Sequence, residues 1–525
     1  MITKPSLLYS ILTGELAGPR RGSRQASNAS RFPVTIMRRL TRYTTLLFFT
    51  LALLAAGARS FTPPPTYAAA VDALSLKDRV DVFEEVWGTI HERYYDASFN
   101  GVNWRAVRDR YRPLVEQAVS DEDFYTLLKR MVGELRDAHT RFHTPEQRRE
   151  RERLQAVSAG LSIFDVQGKA VIVGVEPDSD ASRAGVEEGM IVLAIDGKAV
   201  AERLAEASAR VAGTSSDRAV RLRVYRMIIA GDPGTTLRLT LARGDGSPLD
   251  VTLIRRIVPD TAVVTSRRLA SGYGYIRLTL WKSPIRKEFK NALENLRDVP
   301  GLVIDIRGNP GGEADEVVKI ASFFFNAHVP FGRFSKRSGK AIYLRTDDDD
   351  RVYKGPLAIL VNEGSGSGSE LFAGVMQETG RAIVVGRRTC GCVLGISEFK
   401  KVKGGGELAV SEYGYLSPRE NSFEGTGVIP DKTVELTIGD LQARRDAVLE
   451  EAERLLKAKP ETRTSSQSYY SPQILRRLLR RMAFEWLEAV QLPGGAVVIE
   501  RPSLSTSSRD SQSADKRPAL LWAIV

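Results

Sequence analysis

The chain has 525 residues, 42% hydrophobic and 27% charged, which is enough apolar material for ordinary cores and too much length for one compact domain. Its 19 Phe, 16 Tyr and 5 Trp exclude disorder throughout, and two cysteines exclude a disulfide-framed scaffold. The net charge of +12 sits at the ends: residues 1–42 hold eight Lys/Arg against one acid and residues 460–525 hold nine against six, so the body is nearly neutral and a basic groove for nucleic acid has no support.

Residues 1–58 read as a presequence. Arg38, Arg39 and Arg42 precede an apolar run from Leu46 to Ala56, and Ala56-Gly57-Ala58 places small residues at cleavage-site spacing. The run is too short to span a bilayer core, which takes about 20 apolar residues, so a signal peptide for the general secretory route is the reading, with an uncleaved anchor or a buried helix as the plain alternative. The 36 residues before Met37 fit no signal architecture, which leaves a translation start at Met37 open beside one at Met1. The protein is then exported, to a periplasmic or extracellular location.

Residues 71–150 repeat apolar side chains at helical spacing, as in Val82, Val86, Ile90 and again Phe124, Leu127, Leu128, Met131, Leu135, and predict a small helical domain. Ser120 followed by Asp121 and Glu122 predicts a capped helix start. Pro145 to Leu154 is densely charged and reads as a linker or a solvated helix end.

Residues 155–257 change to short β-rich runs, Ala170–Val175, Met190–Ile195, Leu237–Ala242 and Asp250–Ile254, separated by Gly, Asp and Pro. The segment from Ser179 to Gly197, with Ala184-Gly185 and Ile191-Val192-Leu193-Ala194-Ile195-Asp196-Gly197, resembles a PDZ core, with Met190 in place of its usual Asp. Such a domain adds an extended peptide as a strand and holds its carboxylate on loop amides. Gly160, Leu161 and Ser162 stand where that loop belongs; an ordinary strand start is the other reading of these three.

Residues 262–459 alternate strands and helices: Tyr273–Leu278, a helix over Ile285–Leu296, Gly301–Ile306, a helix over Ala314–Phe325, Leu357–Val361, a helix over Ser369–Glu378, Ile383–Val385, and a last helix carrying Leu441, Ala447, Leu449, Ala452 and Leu455. Residues 460–525 close the chain with a basic amphipathic helix, in which Ile474, Leu475, Leu478, Leu479, Met482 and Phe484 interleave with Arg476, Arg477, Arg480 and Arg481, and a Ser-rich tail of disordered composition. The helix either packs on its own protein or touches an anionic membrane surface.

Two strand ends carry the chemistry. Leu357 to Val361 runs into Asn362-Glu363-Gly364-Ser365-Gly366-Ser367-Gly368-Ser369-Glu370, a small-residue turn opening a helix, where a serine hydroxyl is exposed to free amides and the positive dipole end. Leu302 to Ile306 runs into Arg307-Gly308-Asn309-Pro310-Gly311-Gly312, a second turn that could complete an oxyanion hole; a phosphate cradle lacks its Gly-Lys-Ser/Thr here.

With Leu135-Arg136-Asp137-Ala138-His139-Thr140 and Glu424-Gly425-Thr426-Gly427-Val428-Ile429-Pro430-Asp431, these residues resemble the C-terminal processing, or tail-specific, serine peptidases and the related tricorn core protease over Val82 to Leu456. The resemblance implies a multidomain α+β fold: a helical N-terminal domain, a PDZ domain that is β-rich with two helices, and an α/β crotonase-like (ClpP-like) peptidase domain. It implies Ser367 as nucleophile and Gly368 with Gly311 or Gly312 as oxyanion donors. Many relatives take the serine's proton with a lysine, but Cys392 occupies that position and Ile396 that of its Gln partner, and neither Arg387 nor Arg388 can release a proton near neutrality. The tricorn-like solution is filled instead, with His139 as base and Glu424 orienting or charging it.

His139 has a bland reading as a helix-end residue that caps or packs, and Glu424 one as part of a structural Pro-Asp turn. Cys390 and Cys392 are expected as small buried thiols rather than a disulfide. No metal or organic cofactor is implied. The implied activity is that of an exported serine endopeptidase on polypeptides, recognising extended or C-terminal segments and passing through an acyl-enzyme, with a homo-oligomer left open. The alternative, suggested by Cys392 at the lysine position, is a catalytically silent peptide-binding scaffold.

Overall fold

The computed structural model describes residues 74–153, 155–211, 213–347 and 351–458. The presequence and the tail helix lie outside the described residues.

Three capped helices open the described chain: α1 (Leu76–Arg93), α2 (Trp104–Glu116) and α3 (Asp121–Gly133). Ser75, Asn103 and Ser120 each accept the backbone N–H three residues on, satisfying one orphan donor per helix. Their apolar stripes meet in a core of Val82, Phe83, Val86, Ile90, Phe124, Leu128 and Leu135. Strand β1 (Arg141–His143) then leaves this bundle to pair with a strand from far along the chain, as described below. The charged stretch that follows is a helix, α4 (Pro145–Glu152), opened by a Thr144/Gln147 capping box.

The middle unit begins and ends in one ribbon, β2 (Gln155–Ser158) against β9 (Arg256–Pro259). Between them β3 (Leu161–Val166), β4 (Lys169–Val175), β5 (Ile191–Ile195), β7 (Thr236–Ala242) and β8 (Pro248–Ile254) form an antiparallel sheet, with the short β6 (Lys198–Ala199) on β5. Three helices accompany it, α5 (Asp180–Arg183), α6 (Val200–Arg210) and α7 (Asp217–Met227), one more than expected. Met190 fills a buried apolar position in this core beside Val192 and Leu241.

The third unit is a six-stranded sheet in the order β10 (Val264–Arg268), β11 (Gly274–Leu278), β12 (Leu302–Asp305), β15 (Leu357–Val361), β16 (Ile383–Gly386) and β20 (Lys432–Thr433). β10 is antiparallel to β11 and all the other pairs are parallel. Both faces of the central strands β12, β15 and β16 are covered, which is why these read as nearly continuous apolar runs, whereas the edge strands β10 and β20 are exposed and polar. Ile276, Ile304 and Ile359 face α8 (Ile285–Glu294), α9 (Ala314–Ala321) and α10 (Gly368–Glu378), while Tyr275, Val303, Ala358 and Leu360 face α12 (Ala447–Ala458). The last predicted helix is two, α11 (Ile438–Gln442) and α12, because Arg444 takes φ 52° and turns the chain between them.

Smaller sheets complete the unit: β13 (Pro330–Ser335) between β14 (Ala341–Arg345) and β19 (Gly414–Leu416), and β18 (Glu407–Ala409) between β17 (Phe399–Lys401) and β1. The β1–β18 pairing, with Leu408 and Val410 in the helical core, fastens the N-terminal bundle to the sheet unit and delivers the segment preceding β1 to its edge.

Candidate active site

The site lies where ligands of parallel sheets gather, beyond the carboxyl ends of adjacent strands, here β12 and β15. Each strand runs into a small-residue turn, and the two turns are stitched together. Ser365 donates its hydroxyl to the Ile306 carbonyl at 2.8 Å and accepts the Asn362 N–H at 3.1 Å. Ser369 donates to the Asn309 carbonyl at 2.9 Å and accepts the Trp281 indole N–H at 2.9 Å. The outer serines of the alternating Ser-Gly run therefore fasten the turns.

The middle one is different. Ser367 is the N-cap of α10, holds φ 49° and ψ −114°, and is buried with no partner on its hydroxyl among the described residues. A non-glycine residue in that region is strained and must be held there. The hold is Glu370, whose carboxylate accepts Ser367 N–H at 3.0 Å, Cys392 N–H at 2.8 Å, Gly391 N–H at 2.7 Å and the Thr389 hydroxyl at 2.6 Å. Burial raises the Glu370 carboxyl above its ordinary range, against these donors, which lower it.

The glycines are imposed by contact. A Cβ on Gly311 would stand 2.6 Å from the Ser367 Cβ, and one on Gly312 would stand 2.0 Å from the Trp281 carbonyl oxygen. Gly311 N–H is already donated to the Asn309 side chain at 3.0 Å, whereas Gly312 N–H and Gly368 N–H have no acceptor among the described residues. Of the three expected oxyanion donors, Gly312 and Gly368 are thus the two left open beside Ser367.

His139 reaches this region on the chain between α3 and β1. The Asp137 carboxylate accepts His139 N–H at 2.7 Å, Thr140 N–H at 2.6 Å and the Ser411 hydroxyl at 2.9 Å, fixing the backbone turn as local structure. The imidazole is fully buried and neither ring nitrogen has a partner among the described residues. Burial first, then the charges of Arg141 and Arg223, push it down to about 3, so the ring is neutral across the ordinary pH range. Its neighbour Ala138 packs on Cys390 and Cys392.

Ser215 Oγ accepts Ala138 N–H at 2.9 Å, and Glu424 accepts Val393 N–H at 2.7 Å. Burial pushes its carboxyl up to about 8, with the charges of Asp137 and Glu370 adding to the rise. No hydrogen bond joins His139 to Ser367 or to Glu424.

The cysteines correct an expectation. Cys390 and Cys392 are joined in a disulfide with their Cα atoms 5.4 Å apart, inside the usual range, so neither carries a free thiol.

Several residues at the site were not singled out from sequence. The N-terminal end of α7 clamps the cysteine loop: Ser216 donates its hydroxyl to the Cys390 carbonyl, and Arg218 donates to Thr389 at 2.7 Å and Thr426 at 2.8 Å. Arg223 donates to the Ala138 carbonyl at 2.9 Å. Ser216 as an N-cap before Asp217 was a readable signal for the helix, but nothing in the sequence points to what its residues touch across the chain.

Gly160 takes φ +79° against Ser179, Leu161 is buried at the start of β3, and Ser162 opens onto a cleft of about 930 Å³. Ile163 and Phe164 on β3 and Leu222, Tyr225 and Ile229 on α7 line it.

Residues 272–434 match the family model of peptidase family S41, and residues 76–133 match that of the tricorn protease C1 domain. The chain is 28% identical over 383 residues to a carboxyl-terminal-processing protease of Synechocystis sp., covering 69% of this chain and 82% of that one. It is 28% identical over 375 residues to the chloroplastic carboxyl-terminal-processing peptidase 3 of Arabidopsis thaliana, covering 70% of each. In fold it resembles a photosystem II D1 C-terminal processing protease (TM-score 0.50, 24% identity, 72% of this chain and 97% of that one) and mature CPAF (TM-score 0.55, 14% identity, 73% and 97%).

Proposed function

We propose that the chain is a serine peptidase of family S41, whose model its residues 272–434 match, and that it is an exported endopeptidase that cleaves polypeptides at Ser367 after capturing an extended or C-terminal segment. Ser367 Oγ attacks the scissile carbonyl, and the oxyanion is received by Gly368 N–H with Gly312 N–H, or Gly311 N–H if Asn309 releases it. His139 takes the Ser367 proton and returns it to the leaving amine, and Glu424 stabilises the imidazolium. Water then hydrolyses the acyl-enzyme by the same route.

The single observation that carries this reading is the strained, unpaired Ser367 at the start of α10 beside two open amides. A neutral imidazole is the form a base requires, and it is the form burial maintains at His139. Ser367 and His139 are both sealed from solvent, so substrate entry requires α7 to release its hold on Cys390, Thr389 and Ala138.

The middle unit acts in this reading as a PDZ domain, with the peptide lying between β3 and α7 and its carboxylate on the Gly160-Leu161-Ser162 amides. Export accords with the presequence and with a disulfide, which persists in oxidising compartments. Among the described residues no helix is long and apolar enough to cross a membrane.

The test is labelling of the purified chain with a fluorophosphonate, comparing wild type with Ser367→Ala, His139→Ala and Cys392→Ala. Complete loss in the first two, with labelling that persists at a reduced rate in the third because it also removes the disulfide, supports the assignment. A His139→Ala variant that labels at the wild-type rate removes His139 as the base.

A further inference from the structure

Cys390 and Cys392 are buried, bonded to each other, and take no part in the steps above. Their three-residue loop nevertheless reaches the nucleophile's surroundings at two points, the Ser365 carbonyl and the Glu370 carboxylate. Cys390 N–H is donated to the Ser365 carbonyl at 3.0 Å, within the turn that carries Ser367. Three of the four donors to the Glu370 carboxylate come from Thr389, Gly391 and Cys392, and the fourth is Ser367 N–H itself. Gly391, between the sulfurs, holds φ +77°, and a Cβ there would meet the Gly425 carbonyl carbon at 2.9 Å.

We propose that the Cys390–Cys392 pair is a redox-modification site that positions Ser367 through Glu370, so that the disulfide form is the competent peptidase and the dithiol form is not. The proposal rests on Ser367 being the nucleophile. The modification is thiol–disulfide exchange with a dithiol reductant. Two electrons and two protons pass to the Cys390 and Cys392 sulfurs, the bond between them breaks, and the reductant's two thiols close to its own disulfide.

The direction follows from what the ring restrains. Closing the two sulfurs limits the backbone of Cys390, Gly391 and Cys392, and glycine regains the most freedom when the restraint is lost. A loop so released no longer presents Gly391 and Cys392 N–H to Glu370 in fixed geometry. The buried carboxylate, short of donors, takes up a proton and loosens its grip on Ser367 N–H, and the serine relaxes from φ 49°. The hydroxyl and the Gly368 amide then lose their shared aim.

The experiment uses the full chain equilibrated in oxidised and reduced dithiothreitol mixtures. Three quantities are read at each ratio: free thiols by alkylation and mass, fluorophosphonate labelling rate, and amide hydrogen exchange over residues 365–370 and 389–393. Labelling is expected to fall by about tenfold or more, the effect of losing one hydrogen bond to a buried charge. The fall should follow the thiol titration, reverse on reoxidation, and coincide with faster exchange at Ser367. Cys390→Ser/Cys392→Ser should label at the reduced rate at every ratio.

Labelling of the fully reduced chain within about twofold of the oxidised rate, or a double variant that labels like the oxidised wild type, overturns the proposal. Redox-dependent exchange at Ser367 without labelling in any state would keep the coupling and remove the peptidase reading. Exchange at 365–370 that ignores the redox state while labelling persists would do the reverse.

Discussion

Glu424→Gln separates the electrostatic cost of this site from its packing. In the folded chain burial lifts the Glu424 carboxyl to about 8, against 4.5 as its ordinary value. Between those two pH values the folded state holds a proton that the unfolded state has released, so wild-type stability is highest below the lower value and falls as pH rises toward the upper one. Each pH unit inside that window costs up to about 1.4 kcal/mol, and the total reaches roughly 3–5 kcal/mol above pH 8. Glutamine keeps the shape and an acceptor for Val393 N–H but never ionises. The variant should match wild type near pH 5 and exceed it by roughly 3–5 kcal/mol above pH 8, read as the difference in urea midpoints from pH 5 to 9, in which other titrating groups cancel. Fluorophosphonate labelling should move the opposite way, with the variant losing the rise that wild type shows as Glu424 ionises. A stability difference that is flat with pH, or one in which wild type gains on the variant toward high pH, would refute the reasoning, the latter because it requires a carboxylate stabilised by a charged partner.

The three serines of the turn should respond with different signs. Ser365→Ala and Ser369→Ala each strand a buried partner and should cost about 1–3 kcal/mol in urea denaturation, whereas Ser367→Gly should gain about 1–2 kcal/mol by relieving φ 49° while abolishing labelling. Gly311→Ala should abolish labelling and destabilise by more than about 2 kcal/mol, since its Cβ would stand 2.6 Å from that of Ser367. Arg307→Met should cost about 3–5 kcal/mol at neutral pH, because Arg307 bridges the fully buried Asp305 to Asp446. Burial raises Asp305 but the arginines and Tyr275 more than offset it and hold it below 3.8, so the wild-type contribution is present above that value and is lost in acid, and the variant's deficit should shrink there.

The sequence conveyed most where one local signal sufficed. Ser120 caps its helix, and the apolar runs of β11, β12, β15 and β16 are strands of the same sheet because burial on both faces leaves no polar alternation to interrupt them. It conveyed less where elements are short or charged. The three-residue strands β1, β17 and β18 carry too few side chains for a period, and α7 hides its buried Ala219, Val224 and Tyr225 among four arginines. The site was legible as a set of motifs and illegible as a set of contacts: Ser215, just before α7, accepts Ala138 N–H beside His139, a pairing that no spacing rule gives. The cysteines were misjudged because spacing permits both a bond and two thiols, and only the loop's backbone chooses.

A silent peptide-binding scaffold was the competing reading, and the backbone at Ser367 argues against it. A non-glycine residue at φ 49° costs of order 1–3 kcal/mol, and it persists only where the surroundings over-determine it. Here those surroundings consist of a buried carboxylate with four donors, two outer serines bonded into the neighbouring turn, and two glycines with no room for a methyl group. Peptide binding in the cleft between β3 and α7 draws on none of these, and a helix N-terminus needs only an ordinary cap to be stable. The arrangement spends stability to keep one hydroxyl unpaired beside two open amides, which serves an attacking oxygen and the charge that forms as it attacks. The nucleophile's scaffold thus stands without a lysine at position 392, and the proposal leaves to His139 and Glu424 the movement of a proton.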